Sequence, residues 1–215
     1  MLLPYCAGEF DQHYTKYKDF HSPNGIVQCC YMNKTFHQMN YLKKRSFSCI
    51  DLDYMCGSFM RIILPSKLSC IKSLFKSKEF ADVFFGEKDH LEKNGDKKTV
   101  EVSMPKFDIS NSIDLIDDLK KLGVTDIFDY KKANFSPLTK ELNELYVSSI
   151  EHAVRDITDE SGSRAAAYCN FSAGGLGCAP RKTIHFTIDR PFIFGIMDPS
   201  GFPLFTGIVN DPTKK

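Results

Sequence analysis

Three features are scarce in this 215-residue sequence, and each scarcity excludes a class of protein. Neither charge is in excess, because 28 lysines and arginines against 27 aspartates and glutamates leave a formal charge of +1. No nucleic acid and no anionic membrane is therefore expected as a partner. The longest apolar runs, such as Met60–Leu64 and Phe192–Met197, are too short to cross a bilayer, and residues 1–20 lack the apolar core of a signal peptide.

Motifs for metal binding and catalysis are also lacking. The eight cysteines form no Cys-x-x-Cys pair and no dense disulfide framework, so reduced thiols are expected. The six histidines are scattered, and no Gly-x-Ser-x-Gly motif accompanies them. The glycines at 174, 175 and 177 are not followed by the Lys-Ser/Thr of a phosphate loop. We expect no metal, no cofactor and no enzymatic activity.

What the sequence does contain is the composition of a folded globular protein, with 42% hydrophobic residues, and its predicted strands and helices indicate an α+β fold. β-Branched and aromatic residues predict a hairpin of Phe47–Tyr54 and Ser58–Leu64 around the Cys56-Gly57 turn. Apolar residues at helical spacing predict one or two helices within residues 66–93. Alternation predicts a strand over Thr99–Ile109, with an irregularity at its proline. Antiparallel pairing is expected to dominate.

The second half of the chain shows a helix followed by strands. Asn111 or Ser112 is expected to cap a helix that Gly123 ends. A further strand is predicted between Ser148 and Thr158. Three short strands are predicted at the carboxyl end, over Thr183–Ile188, Phe192–Met197 and Leu204–Val209, and an Asp-Pro-Ser-Gly turn at 198–201 joins the last two.

Residues 159–183 differ from the rest, because they are rich in glycine and alanine and have few large apolar side chains. A connection of this length inside a compact domain is typical of a binding loop or of a disordered segment. Asparagines 33, 134 and 170 each open an Asn-x-Ser/Thr sequon, which matters only if the protein is exported.

The closing strands resemble the signature of the serpin family. Residues 186–196 read Phe-Thr-Ile-Asp-Arg-Pro-Phe-Ile-Phe-Gly-Ile, and residues 205–212 read Phe-Thr-Gly-Ile-Val-Asn-Asp-Pro, which is similar to the family's usual ending. Val102–Phe107, Leu119–Phe128 and Leu145–Ser148 follow in family order. The signature residues are Phe186, Asp189, Arg190, Pro191 and Phe192.

The resemblance runs from about Tyr5 to Pro212 and is closest to intracellular-type members, which are ovalbumin-like or similar to leukocyte elastase inhibitor. It implies one partial serpin domain over residues 1–215, without the helices and first strands with which the family's fold starts. With no signal peptide in view, we expect a cytoplasmic monomer, although many family members act in the extracellular space.

The resemblance also implies a function, since serpins are suicide inhibitors of serine proteases. The reactive loop would span about 160–182, with a scissile bond at Leu176–Gly177 that suits a chymotrypsin-like or elastase-like protease. The hinge residues would be Glu160, Gly162, Ser163, Ala165, Ala166 and Ala167. Lys106 is expected to pair with Glu160 at the top of the large sheet, a region called the breach, where His152 also belongs. The alternative is a non-inhibitory binding or structural protein.

Overall fold

A computed structural model describes residues 10–54, 57–66, 71–138, 145–160 and 183–214. The chain divides into two compact units. The larger unit comprises Met1–Asp108 and Ile157–Lys215, and the smaller unit comprises Ile109–Asp156. That they form one domain stays a prediction. Within the described ranges, no helix combines the length and apolar character that a membrane span requires.

Ten strands and four short α-helices are described. The strands are β1 (Lys16–Ser22), β2 (Gly25–Lys43), β3 (Phe47–Asp53), β4 (Phe59–Pro65), β5 (Asp96–Pro105), β6 (Phe107–Asp114), β7 (Glu151–Thr158), β8 (Ile184–Thr187), β9 (Phe192–Met197) and β10 (Pro203–Val209). The helices are α1 (Ile71–Leu74), α2 (Lys78–Phe84), α3 (His90–Asn94) and α4 (Ile116–Lys121).

Eight of the strands form one sheet in the order β10-β9-β4-β3-β2-β5-β8, and β1 pairs with the first part of β2. All pairs are antiparallel except β5 with β8, which is parallel. Every residue of β4 and β9 is buried. Their sequences, which are apolar except for Arg61, are typical of strands covered on both faces. β6 and β7 form a separate two-stranded sheet.

The sequence analysis did not predict β1 or the longest strand, β2. It pairs in turn with β1, β5 and β3, and its register shifts between Phe36 and Met39. Gln38, at φ +59°, marks the irregularity. The Asn24-Gly25 dipeptide at the β1–β2 turn is a strong hairpin signal and could have revealed this pair.

Most of the predicted strands are confirmed. The Phe47–Tyr54 and Ser58–Leu64 hairpin corresponds to β3 and β4, which pair antiparallel. The three closing strands and the strand after Ser148 are also present, as β8, β9, β10 and β7. In the 198–201 turn, the Asp198 carboxylate accepts hydrogen bonds from the backbone N–H groups of Ser200 and Phe202, both at 2.9 Å.

Three predictions about element boundaries are wrong. Residues 66–93 contain three short helices instead of one or two. The Thr99–Ile109 strand is two strands, because Pro105 has no N–H to continue β5, and Lys106 separates β5 from β6 along the chain. The helix after it begins only at Ile116. Neither Asn111 nor Ser112 caps that helix, because both lie on β6, and the Asp114 carboxylate accepts the Ile116 N–H instead.

The core of the larger unit lies between the sheet and helices α1 to α3. Its aromatic centre is Phe80, which stacks on Phe84 with 5.3 Å between ring centroids and meets Phe47 edge-on. The remaining buried members of this cluster come from β2, β3, β4, α1, α2, α3 and β9: Leu42, Cys49, Phe59, Ile63, Leu74, Val83, Leu91, Ile193 and Met197. This packing holds the β3–β4–β9 part of the sheet rigid.

Substituting Gly201 with alanine is expected to cost about 2 to 3 kcal/mol of unfolding free energy. Gly201 adopts φ +86°, and a Cβ there would lie 2.7 Å from the Gly86 carbonyl oxygen, which is backbone and cannot move aside. Gly57 is a matched control with φ +85°, where a Cβ would meet only Pro199 at 3.5 Å. Urea unfolding of both variants measures the difference, and equal losses would contradict a clash.

Candidate functional site

The candidate site lies where the chain leaves β7 and enters the segment that the sequence identifies as the reactive loop. Glu160 is the last described residue before this segment, and Thr183 is the first described residue after it. The other predicted hinge residues, Gly162, Ser163, Ala165, Ala166 and Ala167, lie outside the described residues. The predicted reactive bond, Leu176–Gly177, also lies outside them.

Glu160 is held from two sides. Its side chain is only 4% exposed, and its Oε2 lies 2.5 Å from the Nζ of Lys106, which is 35% exposed. Its Oε1 accepts a short hydrogen bond from the hydroxyl of Thr15. We call Thr15, Lys106 and Glu160 the Glu160 cluster. The predicted ion pair between Lys106 and Glu160 is thereby confirmed.

The two partners of Glu160 are fixed by the strands around them. Lys106 follows β5 directly, and its backbone N–H donates to the carbonyl of Cys30 on β2 at 2.8 Å. Thr15 immediately precedes β1, and the carbonyl of its neighbour Tyr14 accepts the side-chain amide of Asn33 at 2.7 Å. Because both anchors are on β2, this one strand fixes the backbone next to both partners of Glu160.

The surroundings of Glu160 favour its ionised form. Burial alone would raise the pKa of the carboxyl, but the hydrogen bonds from Lys106 and Thr15 outweigh it and hold the pKa below its ordinary value. Charge-assisted hydrogen bonds of this kind are stronger than neutral ones. The cluster therefore joins three distant parts of the chain at neutral pH.

A pH dependence follows from this lowered pKa. A carboxyl with a depressed folded-state pKa stabilises the fold above its unfolded pKa of about 4.5, and loses that contribution as the pH falls through the folded value. Wild type should exceed Glu160→Gln in unfolding free energy by about 1 kcal/mol at pH 7. The gap should close on acidification below about pH 4. Urea titrations at both pH values measure it, and a constant gap would contradict the assignment.

The strand that leads to Glu160 has an open edge. β7 pairs with β6, and no strand within the described ranges pairs with its other edge. Its side chains are mostly exposed or half-buried. An open strand edge presents unpaired N–H and C=O groups, to which another strand can add. β7 is therefore not covered by a packed core, which would have prevented another strand from adding to it.

The signature residues attach the segment that follows the reactive loop in sequence to the main sheet. Phe186 and Phe192 are buried on β8 and β9. Between them, the Asp189 carbonyl accepts the backbone N–H of His21 at 2.7 Å, and the Arg190 Nε donates to the Pro65 carbonyl at 2.8 Å. Pro191 is buried as well. These contacts have a structural role and fix where the chain re-enters the fold.

A buried ion pair joins two neighbouring strands in the middle of the same sheet. Arg61 on β4 is fully buried and donates from Nε and Nη2 to the two carboxylate oxygens of Asp51 on β3, at 2.8 and 2.7 Å. Its Nη1 donates to the carbonyls of Val83 and Gly86 at the end of α2, at 2.6 and 2.7 Å. Burial raises the pKa of Asp51, and the contacts with Arg61 act in the opposite direction.

Sequence reasoning missed Thr15 and the Asp51–Arg61 pair. No local signal identifies Thr15, which is 145 residues from Glu160. The predicted hairpin could have revealed the pair, because its register places Asp51 opposite Arg61. His152 lies exposed on β7, and its assignment to the breach stays a prediction. Among the described residues, no three His, Cys, Asp or Glu side chains come together as a group that could hold a metal ion.

Comparison with known proteins gives the family of the chain. The sequence profile of the family described as Serpin (serine protease inhibitor) matches residues 5–212. The chain is 30% identical over 218 aligned positions to serine proteinase inhibitor 2 of variola virus, covering 99% of this chain and 59% of that protein. It is 38% identical over 116 positions to human glia-derived nexin, covering 54% of this chain and 28% of that protein.

The solved structures agree with the sequence comparison. A serpin from the trematode Schistosoma haematobium superposes with a TM-score of 0.75 at 25% identity, over 97% of this chain and 54% of that one. Nearly the whole of this chain is aligned with the variola and trematode proteins, but it spans only about half to three fifths of their length. Because the family profile matches residues 5–212 and a solved serpin superposes over nearly the whole chain, the chain belongs to the serpin family.

Proposed function

We propose that this protein inhibits a serine protease as a suicide substrate, and that residues 160–182 are the reactive loop that the protease cleaves. The observation that carries the proposal is the Glu160 cluster, a buried charged anchor at the base of that segment. Family membership supports it, as does the similarity to serine proteinase inhibitor 2 of variola virus. The chain itself needs no catalytic group, because the protease supplies the chemistry.

The open edge of β7 would receive the loop after cleavage. If about a dozen loop residues add a strand and gain about ten hydrogen bonds at roughly 1 kcal/mol each, the gain is on the order of 10 kcal/mol. That amount is comparable with the total stability of a typical domain. The uncleaved loop must then be held by a kinetic barrier, and the Glu160 cluster is a suitable contact to break when the hinge moves.

The position of the cleaved bond suggests the type of target. Leu176 before the cut suits a hydrophobic specificity pocket, as in chymotrypsin-like or elastase-like proteases. Cleavage would leave the protease serine acylated by Leu176. Insertion of the loop would distort the protease before water could release it.

The decisive experiment mixes the purified full chain with chymotrypsin, elastase or trypsin and analyses the products by SDS gel electrophoresis. We expect an SDS-stable complex with chymotrypsin or elastase and none with trypsin. Side chains alternate between the two faces of a strand, and Ala167 would face inward when the loop inserts. Ala167→Arg should therefore block insertion, so that the protease cleaves the chain as a substrate without being trapped. Arg164→Ala, on the outward phase, is the matched control and should retain the complex. Cleavage without a complex in the wild type would refute inhibition.

A non-inhibitory binding protein is the second candidate, and one observation favours it. In the described part of the chain, β6 and β7 are the only members of their sheet, so the loop would be flanked on one side alone. Heating distinguishes the two candidates. A loop-cleaved sample that melts at a clearly higher temperature than the intact one has inserted its loop, whereas an unchanged melting temperature supports the non-inhibitory candidate.

A further inference from the structure

We propose that the folded chain accepts an N-linked oligosaccharide at Asn134, and that Asn33 is unsuited to accept one. Both residues open sequons, and the serpin resemblance assigns no role to either. Asn134 is exposed in the smaller unit, whereas Asn33 is half-buried on β2. The two side chains differ in what their amide groups already bind, and that difference carries the proposal.

The Asn33 amide is fully engaged by neighbouring groups. Its Oδ1 accepts the Lys18 ammonium at 2.9 Å, and its Nδ2 donates to the carbonyls of Tyr14 and Tyr31 at 2.7 and 2.9 Å. Only this orientation satisfies all three contacts, because an ammonium donates and carbonyls accept. A sugar on Nδ2 would replace one hydrogen and break the link to Tyr14 or Tyr31. Modification at Asn33 therefore requires local opening of the sheet.

Unlike the amide of Asn33, the amide of Asn134 leaves its Nδ2 available for attachment of a sugar. Its Oδ1 accepts the backbone N–H of Ser136 at 3.0 Å, which brings the hydroxyl residue of the sequon next to the acceptor side chain. No hydrogen bond from its Nδ2 is found in the described ranges. A glycan there would extend into solvent, because Lys132, Asn134 and Ser136 are all exposed.

The reaction requires a polyprenyl-diphosphate-linked oligosaccharide and an oligosaccharyltransferase as co-reactants. The Asn134 Nδ2 attacks the anomeric carbon of the terminal sugar, and a new C–N bond forms. The C–O bond to the diphosphate breaks, and the polyprenyl diphosphate leaves with the electron pair. The enzyme's base removes one proton from Nδ2, so that the product amide carries a single hydrogen.

The test uses the folded full chain with Asn170→Gln, which removes the sequon outside the described residues. A single-subunit oligosaccharyltransferase and lipid-linked donor are used at concentrations that modify synthetic peptides of residues 30–38 and 131–138 equally. Mass spectrometry of the folded chain should show at least about tenfold higher occupancy at Asn134 than at Asn33, since Asn33 reacts only from a locally opened state.

Two variants make the result specific to the sequon. Ser136→Ala should abolish modification at Asn134 without altering the side chain that accepts the sugar, whereas Ser136→Thr should retain it. Equal occupancy at the two asparagines of the folded chain would overturn the proposal. So would an unmodified Asn134 in the folded chain under conditions in which its peptide is modified.

Discussion

Replacing Arg61 with alanine is expected to lower the unfolding free energy by about 3 to 5 kcal/mol. The substitution leaves the carboxylate of Asp51 buried without its cation, and the carbonyls of Val83 and Gly86 lose their donor. It also removes the guanidinium from its position 4.9 Å from the Phe59 ring centroid. For a chain of this size, a loss of this magnitude lowers the melting temperature by roughly 10 °C. Urea and thermal unfolding measure both quantities.

The loss at Arg61 should also depend on pH. Without the arginine, the pKa of Asp51 rises further, because burial is no longer opposed by a cation. The unfolding free energy of the variant should therefore be higher at acidic pH, where Asp51 is protonated, and should fall as the pH rises to neutrality. Lys93→Ala removes an exposed pair with Asp89 and is the matched control, with an expected cost below about 1 kcal/mol. If Arg61→Ala costs no more than Lys93→Ala, the buried pair is not what joins α2 to the sheet.

Reversing the charge at Glu160 is also expected to destabilise the fold. Glu160→Lys places an ammonium against Lys106 in a position that is nearly inaccessible to water. It also removes the carboxylate that Thr15 binds. We expect a loss of about 2 to 3 kcal/mol, less than for a fully buried pair because Lys106 is partly exposed. Urea unfolding measures the loss.

The charge-reversed pair is the control for this prediction. Lys106→Glu combined with Glu160→Lys restores opposite charges at the same positions, so the double variant should recover at least half of the stability that the single variant loses. A double variant as unstable as the single one would show that the loss comes from the size and shape of lysine at 160. In the protease assay, the single variant should also yield less complex than the double variant.

Local sequence signals were sufficient for several elements. The β3–β4 hairpin and the β9–β10 turn were predicted correctly because turn residues and alternation act over a few neighbouring positions. Local signals also placed the start of the helix at Ile116 too early, because Asn111 and Ser112 have side chains that can cap a helix. In the structure, the pairing of β6 with β7 outweighs this local preference. The Lys106–Glu160 pair was predicted only through the family resemblance.

The sequence by itself determined the fold class, the family and most strand positions, because these depend on periodicity and on short motifs such as the 186–196 signature. Only the tertiary structure decided how distant segments meet. It placed Thr15 on Glu160, paired β5 in parallel with β8, and engaged the amide of Asn33 while leaving that of Asn134 exposed. The contacts of Asn33 and the pairing of β5 depend on the register of β2 with its neighbours, which arises from the packing of the whole sheet more than from any one short stretch of sequence.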